Sequence, residues 1–310
     1  MRKLIVLIIV SILYSCNQQN KSNQKNDNIY NDDTIDIFGH IELDTSKVSE
    51  LDFKDIEEIP VPLPLIKRDS VIQSLKNVPF ATTVLFPKVD SIASKINILG
   101  DANLNDYPYN ISGKLKSYYR SQPNRVYSCS CQLVEKKIII TAAHCIFLKR
   151  EQPYRMVFHA QYKNGVSLGT YVIQDAVYFN SYKGVGSYDD YALLEINRDS
   201  KLPNNWLGIK SGPTNRNTYS MGYPKNIRSG EVLQSILGNT DGRIPYGTYL
   251  YMTNNPFKQG SSGGAWFSNG YVVGINSFGY EDEPNVMYSS WLGKDNNVFK
   301  LYEYAKKRFD

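Results

Sequence analysis

The sequence has no long apolar run and no block of like charge. Its N-terminal apolar run, residues 4–13, would rise only about 15 Å as a helix, roughly half of a bilayer's hydrocarbon core. The net charge is +5, with acidic residues interspersed among the basic ones, and Lys149-Arg150 is too short a basic run for a nucleic-acid footprint. We therefore expect neither a permanent transmembrane span nor a nucleic-acid partner.

The N-terminus has the pattern of an export signal. Arg2 and Lys3 precede the apolar run, which ends at Leu13-Tyr14-Ser15-Cys16. The last four residues resemble a bacterial lipobox, which implies lipidation of Cys16 and a membrane anchor. We therefore expect a signal peptide over residues 1–15 and a lipidated cysteine with a disordered, polar spacer over residues 16–34. The expected location is the bacterial cell envelope, and the alternative is an ordinary secretory signal with a periplasmic or secreted product.

The next segment, residues 35–97, is less polar but irregular. Pro60, Pro62 and Pro64 alternate with apolar residues, a pattern that excludes a helix or a central strand and favours an extended path on the surface. Two interpretations stay open, a pro-segment that is removed and a strap across the main domain.

The remainder, residues 98–310, contains short strand-like runs separated by Gly, Asn, Asp and Pro. This pattern indicates an all-β domain, either a barrel or a sandwich. Only the end differs, because apolar residues recur at helical spacing over residues 298–309 and predict a C-terminal helix packed on the β domain.

Histidine is scarce, which limits the choice of a catalytic base to three residues. His40 lies in the irregular segment, and His159 lies in a strand-like run without a special turn. His144 stands in Thr-Ala-Ala-His-Cys, and far downstream Ser262 lies among glycines in residues 260–264 (GSSGG). Because a serine hydroxyl becomes a good nucleophile when an imidazole accepts its proton, the pair indicates acyl transfer.

These motifs together resemble those of chymotrypsin-like (trypsin-fold) serine proteases, and Gly222-Tyr223-Pro224 resembles a tripeptide of the bacterial glutamyl-endopeptidase branch. The resemblance implies two six-stranded antiparallel β-barrels followed by a C-terminal α-helix. It also implies a disulfide between Cys129 and Cys145, which closes the loop that carries the histidine.

The resemblance assigns a role to each residue of the site. Ser262 is the nucleophile and His144 the base, and the family pattern of Asp, any residue, Ala, Leu selects Asp190 as the acid, with Asp189 as the alternative. The backbone amides of Gly260 and Ser262 correspond to the oxyanion hole, where glycine permits the required tight turn.

The same resemblance indicates how a substrate binds. Ser277, Phe278 and Gly279 match an edge that pairs with an extended peptide as an antiparallel strand, and Ser277 is expected to donate a hydrogen bond to Asp190. The primary pocket receives the side chain before the scissile bond. Pro256 and Asn276 occupy the two positions at which relatives carry residues that recognise a charged substrate side chain. Asn285 occupies a position on the pocket wall, where its side chain could narrow the pocket. We therefore expect a small or amide-bearing side chain there, not a charged one.

Two residues depart from the family pattern. Ser261 replaces the aspartate that receives a new N-terminus in family members made as zymogens, so we expect activity without obligatory cleavage before Ile98. Cys131 is left over once Cys16 carries lipid and one pair is oxidised; two alternatives stay open for it, a buried thiol and a competitor of Cys129 for Cys145, and we favour the first.

The sequence thus predicts a monomeric serine endopeptidase with a protein or peptide substrate and no metal or organic cofactor. Two alternatives stay open. One is a non-catalytic surface binding protein with this fold, against which the intact set of serine, histidine and aspartate argues. The other is a hydrolase of small esters.

Overall fold

A computed structural model describes residues 38–43, 57–66, 98–184, 189–210, 217–243, 249–290 and 297–310. The chain divides into two units, Met1–Thr34 and Ile35–Asp310. The expected signal peptide, Cys16 and the spacer form the first unit and lie outside the described residues. The second unit contains everything reported below.

Two sheets of eight strands each, counted over the described ranges, make up most of this unit. The strands of the first sheet are β1 (Phe38–Glu42), β2 (Glu57–Pro60), β5 (Ser112–Tyr118), β6 (Arg125–Leu133), β7 (Ile138–Thr141), β8 (Arg155–Ala160), β9 (Gly169–Phe179) and β10 (Ala192–Ile196). The strands of the second sheet are β4 (Ile98–Asp101), β11 (Gly208–Ile209), β12 (Asn217–Gly222), β13 (Gln234–Arg243), β14 (Tyr249–Thr253), β15 (Ala265–Ser268), β16 (Tyr271–Ile275) and β18 (Val286–Ser290). A short pair is formed by β3 (Leu65–Ile66) and β17 (Gly279–Tyr280).

The first sheet closes into a six-stranded antiparallel barrel. Its order is β5, β6, β7, β10, β9 and β8, and β8 pairs with both β9 and β5. β7 is a run of three isoleucines, all buried, which suits a strand inside a packed barrel.

The second sheet curves back on itself where β18 returns to the end of β16. There the Ile275 amide donates to Ser289 Oγ at 2.8 Å, and the Ser277 amide donates to the Tyr288 carbonyl at 3.0 Å. Together with the first barrel, this arrangement is the double barrel that the resemblance implies.

The C-terminal helix α1 (Asn297–Phe309) packs on β9 and β10 of the first barrel. Its buried residues Val298, Leu301, Ala305 and Phe309 follow the spacing of one helical face. Lys306, Lys307 and Arg308 stand in the last turn, where cations interact favourably with the helix dipole.

The segment between residues 35 and 97 adds strands to this domain. β1 pairs antiparallel with β9, and β2 pairs parallel with β6. Residues 57–66, called the strap below, run from β2 on the first barrel to β3, which pairs with β17 beside the second sheet.

Candidate active site

The candidate base, His144, lies on a short 3-10 turn (Ala143–Cys145) directly after β7. The Cys129–Cys145 disulfide joins this turn to the neighbouring strand β6, with the two Cα atoms 6.1 Å apart. The side chain of His144 is buried, with 7% of the residue exposed. The turn is therefore fixed to the barrel wall on both sides of the histidine.

One carboxylate orients the imidazole. Asp190 Oδ2 lies 2.8 Å from His144 Nδ1, and Asp190 Oδ1 accepts a hydrogen bond from the His144 backbone amide at 2.9 Å. Ser277 Oγ also donates to Asp190 Oδ2. With its proton on Nδ1, the ring presents the lone pair of Nε2 to the cleft. Asp189 lies elsewhere, because its carboxylate accepts from Ser181 Oγ.

The loop that carries Ser262 lies against the start of the histidine turn. Gly260 and Gly263 adopt φ values of +85° and +79°, a region that disfavours other residues. A Cβ on Gly263 would lie 2.1 Å from Thr141 Oγ1 and 2.5 Å from the Ser130 carbonyl. Only glycine therefore allows the serine loop to approach the end of β7 this closely.

The two atoms that would react are buried and unpaired. Within the described ranges, neither Ser262 Oγ nor His144 Nε2 has a hydrogen-bond partner. Buried polar atoms usually have partners, so the exceptions indicate groups kept for a bound molecule. Hydrogen bonds between such groups are often long in a site without its substrate.

Strand β6 positions the serine loop, a role that motif comparison misses. The Ser130 amide donates to the Ser262 carbonyl and Ser130 Oγ donates to the Gly260 carbonyl, both at 2.8 Å. Gln132 Nε2 donates to the Gly263 carbonyl at 3.1 Å. The signal in the sequence is the polar residue at every second position of a buried strand, Ser128, Ser130 and Gln132.

Asn276, expected near the primary pocket, lies just after the end of β16. Its side chain is fully buried beneath the serine loop, where Oδ1 accepts from Trp266 Nε1 at 2.8 Å and from Ser220 Oγ at 2.9 Å. Its Nδ2 donates to the Ser261 carbonyl at 3.2 Å. These bonds occupy the amide, so Asn276 supports the serine loop.

An apolar cluster lies next to Pro256, where we expect the primary pocket. Phe257, next to Pro256, and Met287 belong to one buried cluster that also contains Leu63 of the strap. Asn285, expected on the wall of this pocket, is exposed. Pro256 is partly exposed.

In the Ser277–Phe278–Gly279 edge, the Ser277 and Phe278 amides donate to the Tyr288 carbonyl, whereas the Gly279 amide is directed to the strap. The Phe278 ring is buried and stacks on Tyr288 with ring centroids 5.1 Å apart. The Gly279 amide donates to the Pro64 carbonyl at 2.9 Å, and the Gly260 amide donates to the Val61 carbonyl at 3.2 Å. One expected oxyanion amide and one amide of the expected substrate edge thus contact the strap.

A cavity of about 610 Å³ adjoins His144 on the side of the first barrel. Aromatic side chains form much of its wall: Tyr119, Tyr127, Phe147, Tyr178 and Tyr182. Val61, Pro62 and Pro64 of the strap also line it. This volume suits side chains of a bound peptide.

The remaining groups of interest are structural. Cys131 keeps a free, buried thiol, and burial raises its pKa well above the usual value. Ser261 is fully buried, and its Oγ donates to the Lys258 carbonyl at 2.8 Å. Across the described ranges, no group of three His, Cys, Asp or Glu side chains could hold a metal ion, and no helix has the length and apolar character needed to cross a membrane.

A double barrel in which a glycine-flanked serine loop packs against the end of β7, beside the histidine turn, has the architecture of chymotrypsin-like proteins. The Trypsin family model matches residues 100–289, so the chain belongs to the trypsin family of serine proteases, which act on proteins or peptides. No curated protein matches the sequence.

Solved structures of proteases share the fold. Protease Anisep from Arthrobacter nicotinovorans is 24% identical, with 63% of this chain and 94% of that chain covered and a TM-score of 0.51. The thermostable serine protease AL20 from an extremophilic microorganism is 24% identical, with coverages of 63% and 95% and a TM-score of 0.52. A Glu endopeptidase in complex with MPD is 18% identical, with coverages of 66% and 94% and a TM-score of 0.54.

Proposed function

We propose that this protein is a serine endopeptidase that cleaves peptides through an acyl-enzyme intermediate, with Ser262, His144 and Asp190 as its triad. The observation that carries the proposal is the orientation of His144. Asp190 engages Nδ1, and this leaves the Nε2 lone pair available to a serine hydroxyl.

In the first half of the reaction, Ser262 Oγ attacks the scissile carbonyl carbon and His144 Nε2 accepts the hydroxyl proton. The imidazolium is stabilised by Asp190. The amides of Gly260 and Ser262 donate to the developing oxyanion, and one such donor contributes about 10²–10³ in rate in comparable enzymes. His144 then gives its proton to the leaving amine, and the acyl-enzyme remains.

In the second half, a water molecule takes the place of the amine. His144 accepts its proton while the oxygen attacks the ester carbon of the acyl-enzyme. The new oxyanion uses the same two amides, and collapse returns the proton to Ser262 Oγ. No step requires a metal or an organic cofactor.

The substrate we propose is an extended peptide that pairs antiparallel with the Ser277–Gly279 edge. An uncharged side chain before the scissile bond suits the apolar pocket beside Phe257. For the substrate side chain before the scissile bond, the sequence-based prediction of a small or amide-bearing group still stands. A peptide library in which cleavage follows Arg, Lys, Asp or Glu would contradict the uncharged preference.

We further propose that the chain is exported as a monomer and anchored to an envelope membrane through a lipid on Cys16. The lipobox resemblance supports this proposal. Metabolic labelling with a radioactive fatty acid should mark the wild type and not Cys16→Ala. A labelled Cys16→Ala chain would contradict the anchor.

The triad is tested by prolonged incubation with a serine-reactive phosphonate, followed by mass spectrometry. The wild type should gain one phosphonate on Ser262, and Ser262→Ala should gain none. Ser200→Ala, a change at an exposed serine in the turn after β10, is the matched control and should be labelled like the wild type. If neither the folded wild type nor the Leu63→Asp variant, which is introduced in the next subsection, gains a label, the assignment of Ser262 as the nucleophile is refuted.

A further inference from the structure

The strap crosses the candidate cleft from one barrel to the other. It begins as β2, whose residues Glu57 to Pro60 pair with Arg125 to Ser128 of β6. The Val61 amide then donates to the Ser128 carbonyl at 2.8 Å, and the Val61 carbonyl accepts from the Gly260 amide at 3.2 Å. Beyond the serine loop, the Pro64 carbonyl accepts from the Gly279 amide.

The direction of the strap is opposite to that expected for a substrate. A substrate pairs antiparallel with the edge at Gly279, whereas the strap pairs parallel with Gly279–Tyr280 and parallel with β6. We propose that the strap is an internal inhibitor, which occupies the oxyanion amide of Gly260 and the substrate edge in reverse and therefore is not cleaved. This inference rests on the proposed endopeptidase function.

Reversal explains why the strap would persist in the cleft. The carbonyl nearest the oxyanion amide is that of Val61, and the nitrogen bonded to it belongs to Pro62. Since Pro62 continues toward Gly279, that nitrogen lies on the side where a substrate carries its retained acyl part. The nitrogen that would leave is therefore not where the base delivers its proton, and acyl transfer cannot be completed.

Leu63 anchors the strap in the apolar cluster next to Pro256, where we expect the primary pocket. Its side chain belongs to the buried cluster with Phe257 and Met287, and only 7% of the residue is exposed. One of its methyl carbons lies 4.0 Å from the position that a Cβ on Gly279 would take. Leu65, two residues later, is 58% exposed. The strap thus buries one aliphatic side chain in this cluster and leaves the second leucine mostly exposed, with its Cδ2 3.4 Å from the same Cβ position.

A charge contact fixes the other end of the strap. Glu58 pairs with Lys114 and Lys116 of β5, each at 2.8 Å. Lys114 is almost fully buried, and its ammonium also lies 4.2 Å from the centre of the Tyr162 ring and 3.0 Å from Glu231. A buried ammonium is costly without counter-charges, so the pocket around Lys114 is built to receive the strap carboxylate.

The strap is bound in a way that permits release. Pro60, Pro62 and Pro64 have no backbone N–H, so they cannot donate to the strands on either side. Fewer ladder hydrogen bonds form than an ordinary strand of the same length would make. An inhibitor with this character competes with substrate and does not close the site permanently.

The test compares two leucine substitutions in the full chain. Leu63→Asp places a carboxylate in the apolar pocket and should displace the strap. The rate constant for labelling of Ser262 by the phosphonate, and kcat/KM for an uncharged peptide substrate, should each rise at least tenfold. Leu65→Asp, at the exposed leucine, should stay within twofold of the wild type. Equal rates for wild type, Leu63→Asp and Leu65→Asp would overturn the inhibitor.

A peptide added in trans separates release of the strap from damage to the fold. A synthetic peptide of residues 57–66 should slow the labelling of Leu63→Asp, and the same peptide with Asp in place of Leu63 should not. Labelling that is fast and insensitive to the first peptide would overturn the proposal, because the cleft would then not bind the segment.

Hydrogen exchange distinguishes failure of the inhibitor from failure of the enzyme. The Gly260 and Gly279 amides should exchange slowly in the wild type and faster in Leu63→Asp. If exchange changes as expected but no variant is ever labelled, the strap docks and the endopeptidase function is wrong. If the wild type is labelled as fast as Leu63→Asp, the function stands and the inhibitor is wrong.

Discussion

Removing the charge of Glu58 should release the strap and speed the reaction of Ser262. Both lysine partners of Glu58 lie on β5, so these ion pairs exist only while the strap is docked. Burial alone would raise the pKa of Glu58, but Lys114 and Lys116 outweigh it and lower that pKa from 4.5 to about 2. The docked state therefore favours the carboxylate over the carboxylic acid.

The size of the effect follows from this pKa. Lowering the pKa of Glu58 from 4.5 to about 2 corresponds to roughly 3–4 kcal/mol of docking free energy before solvent screening. Since 26% of the Glu58 side chain is exposed, solvent screening reduces the value, and we use about 1–2 kcal/mol. Glu58→Gln should therefore raise the labelling rate constant about 5- to 30-fold at neutral pH.

The neighbouring residue supplies the control. Glu57 pairs with Arg125 at 3.3 Å, but the two side chains are 63% and 50% exposed. Exposed pairs of this kind contribute at most about 1 kcal/mol and often much less, so Glu57→Gln should change the rate constant less than about threefold. The measurement is the time course of phosphonate labelling at pH 7.5. Equal rate constants for Glu58→Gln, Glu57→Gln and the wild type would refute the reasoning.

The same contact predicts a pH dependence. Because docking lowers the pKa of Glu58, its contribution is complete above about pH 4.5 and is lost as the pH falls towards 2. His159, on β8, also titrates in this range, since burial and then Lys116 lower its pKa to about 4. Its effect is common to wild type and Glu58→Gln, so the difference between them isolates Glu58. Exchange of the Gly260 amide should differ between the two proteins at pH 6, and the difference should shrink as the pH falls from about 4.5 towards 2.

Three further predictions concern the site and the barrel. Asp190→Asn should keep the fold but lower kcat by about 10⁴, because the amide favours the wrong imidazole tautomer; Ser277→Ala, which removes one hydrogen bond to the same carboxylate, should cost only about 10- to 100-fold. Loss of the Cys129–Cys145 disulfide, which spans a sequence separation of 16, should lower the free energy of unfolding in urea by about 3 kcal/mol. Cys131, whose pKa burial raises, should resist iodoacetamide in the native protein and react after denaturation, as peptide mass spectrometry would show. Comparable losses for Asp190→Asn and Ser277→Ala, unchanged stability without the disulfide, or rapid native alkylation would contradict these expectations in turn.

Local motifs carry enough information to predict the centre of the site. The residues flanking His144 and Ser262 are dictated by tight turns and close backbone approaches, as the positive φ of Gly263 and its contact with Thr141 illustrate. Few residue types satisfy such constraints, so a motif of about five residues is enough to recognise them in the sequence. The double barrel follows from the same motifs through the family resemblance, since short alternating strands alone leave a barrel and a sandwich equally open.

Contacts between segments that are distant in the sequence are harder to predict from it. Asn276 resembles a pocket position in the linear sequence, but the surrounding strands direct its amide to Trp266 and the Ser261 carbonyl. The prolines of the strap predict an extended path, yet they do not specify that its partners are β6 and Gly279. Pairing register depends on the whole surface against which a strand lies, and short proline-containing segments specify it weakly.

The strap also bears on how such an enzyme is controlled. With Ser261 in place of aspartate, a new N-terminus would find no carboxylate at that position, and Ile98 instead pairs through its backbone with Ile236 of β13. Cleavage before Ile98 would therefore gain no buried ion pair to drive a change in the cleft. An inhibitor held by Leu63 and Glu58 needs no cleavage, because substrate competes with it directly at the Gly260 and Gly279 amides. Control of this kind is reversible and depends on substrate concentration. It predicts that activity begins without a lag phase when substrate is added. It also predicts that Leu63→Asp lowers the apparent KM and leaves kcat unchanged.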